Sequence, residues 1–192
     1  MHRLLSGAAA AALAASLALA LPGPAAAQQQ QQQLQTTTTQ SPASPSSVMP
    51  PDLDFVLKAA SGGMEEVALG DLAAQKVQSQ QLKELAQLIV QDHTTANQEL
   101  MQIAQSKGIQ VPETTSPASQ TVAASMSELN GPEFDLAYVM QQQGAHVATV
   151  ALFDFAANHA MDPDVKAFAE KYLPKIQAHT RKIEETAQGL MK

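Results

Sequence analysis

The sequence predicts an all-α fold, a four-helix bundle with a long connection between its second and third helices. Two observations carry that expectation. Apolar residues recur in alternating steps of three and four along four long stretches, which is the period of a helix with one buried face. Short turns join the first stretch to the second and the third to the fourth, whereas the 24 residues from Gly108 to Gly131 separate the two pairs. Such a connection is long for neighbouring helices and reads as a crossover or a lid.

The bundle does not begin at the first residue. His2 and Arg3 precede an apolar run from Leu4 to Leu21, and Pro22-Gly23-Pro24 and Ala25-Ala26-Ala27 follow. Residues 1–27 are therefore expected to be a secretory signal peptide cut after Ala27, which places the mature chain in the periplasm or outside the cell. Residues 28–51 run through Gln28–Gln33, Thr36–Thr39 and a Ser/Pro stretch. With so little apolar surface to offset ordering entropy, they are expected to form a disordered tether. Residues 52–192 are long enough for one domain with a real core. Without Arg3 the chain carries 10 basic and 18 acidic residues, a net charge of −8. No basic run remains to hold phosphates, which argues against nucleic acid or anionic lipid as partners. No later apolar run approaches the roughly 20 residues of a membrane span, so no membrane insertion is expected after cleavage. The chain has no cysteine, which excludes disulfides, a thiol nucleophile and a lipoprotein anchor.

The first helix is expected to start at Asp52, capping its own first turn after Pro50-Pro51. Its seam is Phe55, Ala59, Gly62, Glu66, Leu69 and Ala73. Gly62-Gly63 costs about 1 kcal/mol per glycine against alanine, which implies a closely packed neighbour or a kink. Val77-Gln78 forms a turn and Ser79 caps the second helix. That helix has the seam Leu82, Ala86, Ile89, His93, Ala96, Leu100 and Ile103, and Gly108 closes it. A short amphipathic piece, Val122 to Leu129, interrupts the connection. The third helix starts at Pro132, where a missing amide is harmless, and its seam is Val139, Gln142, His146, Thr149, Phe153 and Ala156. Asp162-Pro163 opens the fourth, whose seam is Val165, Phe168, Tyr172, Ile176, His179, Ile183 and Leu190. Pro174 inside it is expected to bend it.

Each seam contains one residue able to bind a metal: Glu66, His93, His146 and His179. Counted from their own hairpin turns, all four lie roughly 17 to 24 Å deep at 1.5 Å per residue, so they can converge in one layer. A buried carboxylate is costly unless paired, protonated or bound to a cation. Three imidazoles and one carboxylate suit a single zinc, copper or iron ion and are too nitrogen-rich for calcium or magnesium. Asn97, one turn beyond His93, could hold a ring nitrogen or a metal-bound water. Asp92 is expected to face outward, and His159 to lie at the surface near a helix C-terminus.

Other chemistries lack their residues. Carboxylate di-iron bundles place Glu three residues before His on two helices, but Val90, Gln143 and Ile176 stand there. There is no glycine-rich phosphate loop and no Gly-x-Ser-x-Gly elbow.

Gly62-Gly63-Met64-Glu65-Glu66-Val67, Asp92-His93 with Ala96-Asn97, Lys107-Gly108, Phe134-Asp135, His146 leading to Phe153, and Leu173-Pro174 leading to His179 together resemble the bacterial secreted family called domain of unknown function 4142. The resemblance spans Asp52 to Lys192. It implies a ferritin-like bundle with a crossover between the second and third helices, and no established activity. Some members carry the label of outer-membrane protein, for which this sequence shows no barrel-like alternation. Members often have an acidic residue before the third-helix histidine, where this chain has Ala145. The function expected is a secreted bundle binding one transition-metal ion. A non-catalytic envelope or interaction module without metal is the alternative reading, and a metal-dependent enzyme is a third.

Overall fold

The structure, a computed structural model, describes residues 48–190. The expected signal peptide at 1–27 and nearly all of the expected tether at 28–51 lie outside the described residues. The described part is helical, with α1 at Pro50–Lys76, α2 at Gln80–Ser106, α3 at Pro117–Ser127, α4 at Gly131–His159 and α5 at Pro163–Leu190. No strand occurs among the described residues, and no described helix is long and apolar enough to cross a membrane. Folded structure starts slightly earlier than the sequence pattern suggests: Val48 is buried in the core and α1 opens at Pro50.

α1 and α2 form one hairpin and α4 and α5 the other; across the bundle, α1 packs on α4 and α2 on α5. Three polar ties fix how the hairpins meet. Asp52 at the start of α1 accepts hydrogen bonds from the amides of Met161 and Asp162 in the α4–α5 turn, at 3.0 and 2.7 Å. Lys107 at the end of α2 pairs with Asp162 at 2.8 Å and Asp164 at 2.7 Å. At the opposite end, Gln78 in the α1–α2 turn donates its amide to Asp135 in α4. The two hairpin turns therefore lie at opposite ends of the bundle, and the segment between α2 and α4 must travel its length. It is a crossover. α3 lies within it, packed against α1 and α4, with Ser116 capping its first turn and Ser119 donating to Glu65 of α1 at 2.6 Å.

Several local signals act as their chemistry dictates. Ser79 accepts from the Leu82 amide at 3.0 Å and caps α2. Gly108 adopts φ +66°, the left-handed geometry that glycine takes without steric cost, so that Ile109 can donate to Ala104 O at 2.8 Å. Asp162 accepts from the amides of Asp164 and Val165 and caps α5. Pro174 does not end α5, which continues to Leu190; the residue whose carbonyl it leaves unpaired, Glu170, is exposed to water.

Asp52 differs from expectation. It makes no cap bond to its own helix, because the α4–α5 turn presents two amides to the same carboxylate. Replacing Asp52 with alanine strips both amides of a charged acceptor and is expected to cost about 2 to 3 kcal/mol. Urea unfolding measures this, and a loss under about 0.5 kcal/mol, the level of an ordinary surface change, would show that the carboxylate is not holding the turn.

The apolar core falls into two clusters. One contains Phe55, Phe153, Phe168, Tyr172 and Ile176 near the Asp52 end. The other contains Leu69, Leu85, Ile89, Phe134 and Ile183 near the Gln78 end. Between them lie Glu66, His93, Gln142, His146 and His179, all buried.

Candidate metal centre

The three histidines of this layer come from α2, α4 and α5, and their rings form a nearly equilateral triangle. Ring centroids are 5.7 Å apart for His93 and His146, 5.7 Å for His93 and His179, and 5.6 Å for His146 and His179. One nitrogen from each ring lies within 4.8 Å of its counterparts on the other two. An ion bonded to three imidazoles at about 2.1 Å needs only a small contraction of that triangle.

Hydrogen bonds set the tautomers of two of the rings. His146 Nδ1 lies 3.1 Å from Gln142 O; a carbonyl only accepts, so Nδ1 carries the proton and Nε2 keeps its lone pair. His179 donates from Nε2 to Asp92 at 2.9 Å, which leaves Nδ1 unprotonated. His146 Nε2, His179 Nδ1 and His93 Nε2 are all buried without a partner. Unpaired buried polar atoms are rare enough to require an explanation, and here three occur on three adjoining rings.

Burial also keeps the rings neutral. It pushes His93 down to about 3, assisted by repulsion from His146 and His179, with Asp92 opposing. Burial and the charge of His179 bring His146 down to about 4, against the pull of the Gln142 carbonyl. His179 is lowered by burial as well, although Asp92 draws it back up. Neutral imidazoles are the form that ligates metal.

Glu66 reaches the layer, but on a different side from that expected of a fourth ligand. Its Oε1 lies 3.8 Å from His146 Nδ1, the protonated edge of the ring, and the carboxylate is not among the three mutually close donor atoms. Burial raises Glu66 to about 7; the nearby Gln142 amide lowers it and Glu65 raises it further. Asp92 is a plain correction: it does not face outward. Burial pushes it up, but hydrogen bonds from Lys175 and His179 outweigh this and hold it below the usual carboxylate range. Two carboxylates thus stand behind two imidazoles, Asp92 behind His179 and Glu66 behind His146. Asn97 makes no hydrogen bond to a ring; it packs on α1, where a Cβ added to Gly63 would sit 1.9 Å from its Oδ1. That close approach explains one of the paired glycines, since Gly62 faces open space. His159 is exposed, as expected, with Nδ1 3.0 Å from Phe155 O.

Sequence reasoning assigned no role to Gln142 and Tyr138. Both are buried beside Glu66: the Tyr138 hydroxyl has no partner, and the Gln142 amide lies close enough to act on Glu66 without forming a hydrogen bond of normal length. The position of Gln142 on the α4 seam, one turn before His146, was the available signal.

The sequence profile of the domain of unknown function DUF4142 matches residues 35–186. The chain belongs to the DUF4142 family. This DUF4142 chain is also similar to a crystallographically solved DUF305 fragment from Deinococcus radiodurans, with a TM-score of 0.66 and 17% identity over 73% of this chain and 97% of that one. At that identity the likeness shows a shared helical fold. No curated protein matches the sequence. The DUF4142 match begins at Gln35, inside the stretch whose composition suggests a tether.

Proposed function

We propose that this protein is an exported helical bundle that binds one transition-metal ion, zinc, copper or iron, through His93, His146 and His179. The observation that carries the reading is the triangle of rings with three unpartnered nitrogens between two apolar cores. A cation would give His146 Nε2 and His179 Nδ1 a partner at once, and His93 Nε2 with them in the tautomer that leaves it unprotonated. Asp92 and Glu66 act through the rings: metal-bound histidines commonly present their other nitrogen to a carboxylate, which fixes tautomer and orientation. Three protein ligands leave a position free, the arrangement of reactive metal sites; closed structural ones use four.

A helical interaction module is a second reading, and one observation favours it. The outward side of α4 exposes Leu136, Met140, Val147 and Phe155, each at least half accessible, and apolar patches of this kind mark contact surfaces.

The metal reading is tested by incubating the purified, untagged protein with zinc, copper or iron, desalting it and measuring metal by mass spectrometry. Close to one ion per chain is expected in the wild type and almost none in His93→Ala. Metal far below stoichiometry for every ion in the wild type would refute the reading.

A further inference from the structure

A cavity of about 40 Å³ lies against the histidine layer on the side of the Phe55 cluster. One water needs roughly 10 to 15 Å³ of such space, so the cavity accepts a few atoms and nothing larger. His93, His179, Ala96, Phe153 and Phe168 line it, together with the solvent-exposed Lys58 and Lys175. His146 and Glu66 do not line it. The cavity therefore meets the triangle along the edge between His93 and His179; of the oxygen-bearing side chains that line it, Asp92 is bonded to Lys175 and His179, and Asn97 packs against Gly63.

We propose that the ion takes a small anion of two or three heavy atoms on this side, the cavity serving as a size filter; this rests on the metal-binding reading above. The anion, as opposed to a neutral guest, follows from charge. Three neutral rings leave a divalent cation uncompensated in its own shell, and Asp92, the carboxylate at the cavity, is already bonded to Lys175 and His179. An anion bound directly to the ion lowers the charge buried between two apolar cores, which is otherwise costly. Azide serves as the probe because it is anionic, linear and three atoms long.

Gly62 provides a means of closing the cavity. It lines the cavity, and an added Cβ there meets no atom within 4 Å, so a larger side chain enters open space. The untagged protein is loaded with cobalt(II), whose visible spectrum reports its ligands, and cobalt per chain is measured first. Azide is then expected to give a saturable spectral change in the wild type, and benzoate none. Gly62→Leu is expected to keep its cobalt and bind azide about tenfold more weakly or worse, because its side chain competes with azide for the same small space. Absence of cobalt refutes this inference; absence of zinc, copper and iron as well refutes the metal reading with it. Bound cobalt with no response to azide refutes this inference alone, as does benzoate binding equal to that of azide. If Gly62→Leu does not fold, the comparison of azide with benzoate on the wild type decides; if it folds and binds azide as the wild type does, the anion is not in this cavity.

Discussion

Zinc at a thousand times its dissociation constant is expected to raise the unfolding free energy of the wild-type domain by about 4 kcal/mol, a gain of about 8 to 16 °C in melting temperature for a chain of this size. His146→Leu is expected to abolish that gain while leaving the metal-free protein as stable as the wild type, or more stable. Leucine fills a comparable volume and removes a buried Nε2 that has no partner; deleting an unsatisfied polar atom from a core is neutral or favourable. A histidine kept for structure alone predicts the reverse, since its loss would break bonds that stabilise the empty fold. Melting curves of both proteins, with chelator and with zinc, separate the cases. A destabilised His146→Leu apoprotein together with a wild type indifferent to zinc would overturn the metal site.

The second large effect is the response of the metal-free protein to acid. In the unfolded chain each histidine takes up a proton near its ordinary value of about 6.5, whereas the folded state keeps His93 and His146 neutral down to about 3 and about 4 and holds His179 low as well. The unfolded state therefore binds more protons below pH 6.5. The stabilisation from the three rings is complete above that pH and is lost as the pH falls. Glu66 works in the opposite sense. Its folded value of about 7 means that the native state holds a proton the unfolded chain has released, so its contribution is present below about 4.5 and fades as pH rises to 7. His93 and His146 against Glu66 leave a net loss of roughly 1 kcal/mol per pH unit between 6.5 and 4.5, at about 1.4 kcal/mol per proton, and His179 acts in the same direction as the first two. Against the 5 to 15 kcal/mol of a typical domain, that slope removes a sizeable share of the stability by pH 4.5. Urea midpoints across this range measure it, and His93→Leu is expected to reduce the slope by about one proton. A flat profile between pH 4.5 and 6.5 would show that the rings are not held neutral.

The helices and the layer were legible in the sequence because both depend on period. Glu66, His93, His146 and His179 interrupt four seams, and a straight helix turns equal residue counts into equal depth. Asp92 was misread because one position before a seam residue faces outward on a lone helix, whereas in a bundle that flank meets the next helix. Lys175 and His179 come from α5, and their register against α2 is not encoded locally. Asp52 was misread for a related reason: its amides come from Met161 and Asp162, more than a hundred residues later, while a cap within its own helix looked sufficient. Glu66 was placed at the correct depth, but depth does not show which edge of a neighbouring ring a carboxylate meets. The 24-residue connection could be a crossover or a lid by length alone, and only the ties at Lys107 and Gln78 show that it spans the bundle.

The polar layer between two apolar cores also measures alignment. Greasy surfaces tolerate sliding, since a helix shifted by one turn can still bury leucine against phenylalanine. The same shift, about 5.4 Å, would carry a single imidazole out of the 4.8 Å reach of the other two and leave it among aromatic or aliphatic side chains. Every misaligned packing thus strands a polar ring, with or without a metal present. The site acts as a notch that lets only one arrangement of four otherwise interchangeable stripes close, the role attributed to isolated polar positions in coiled coils.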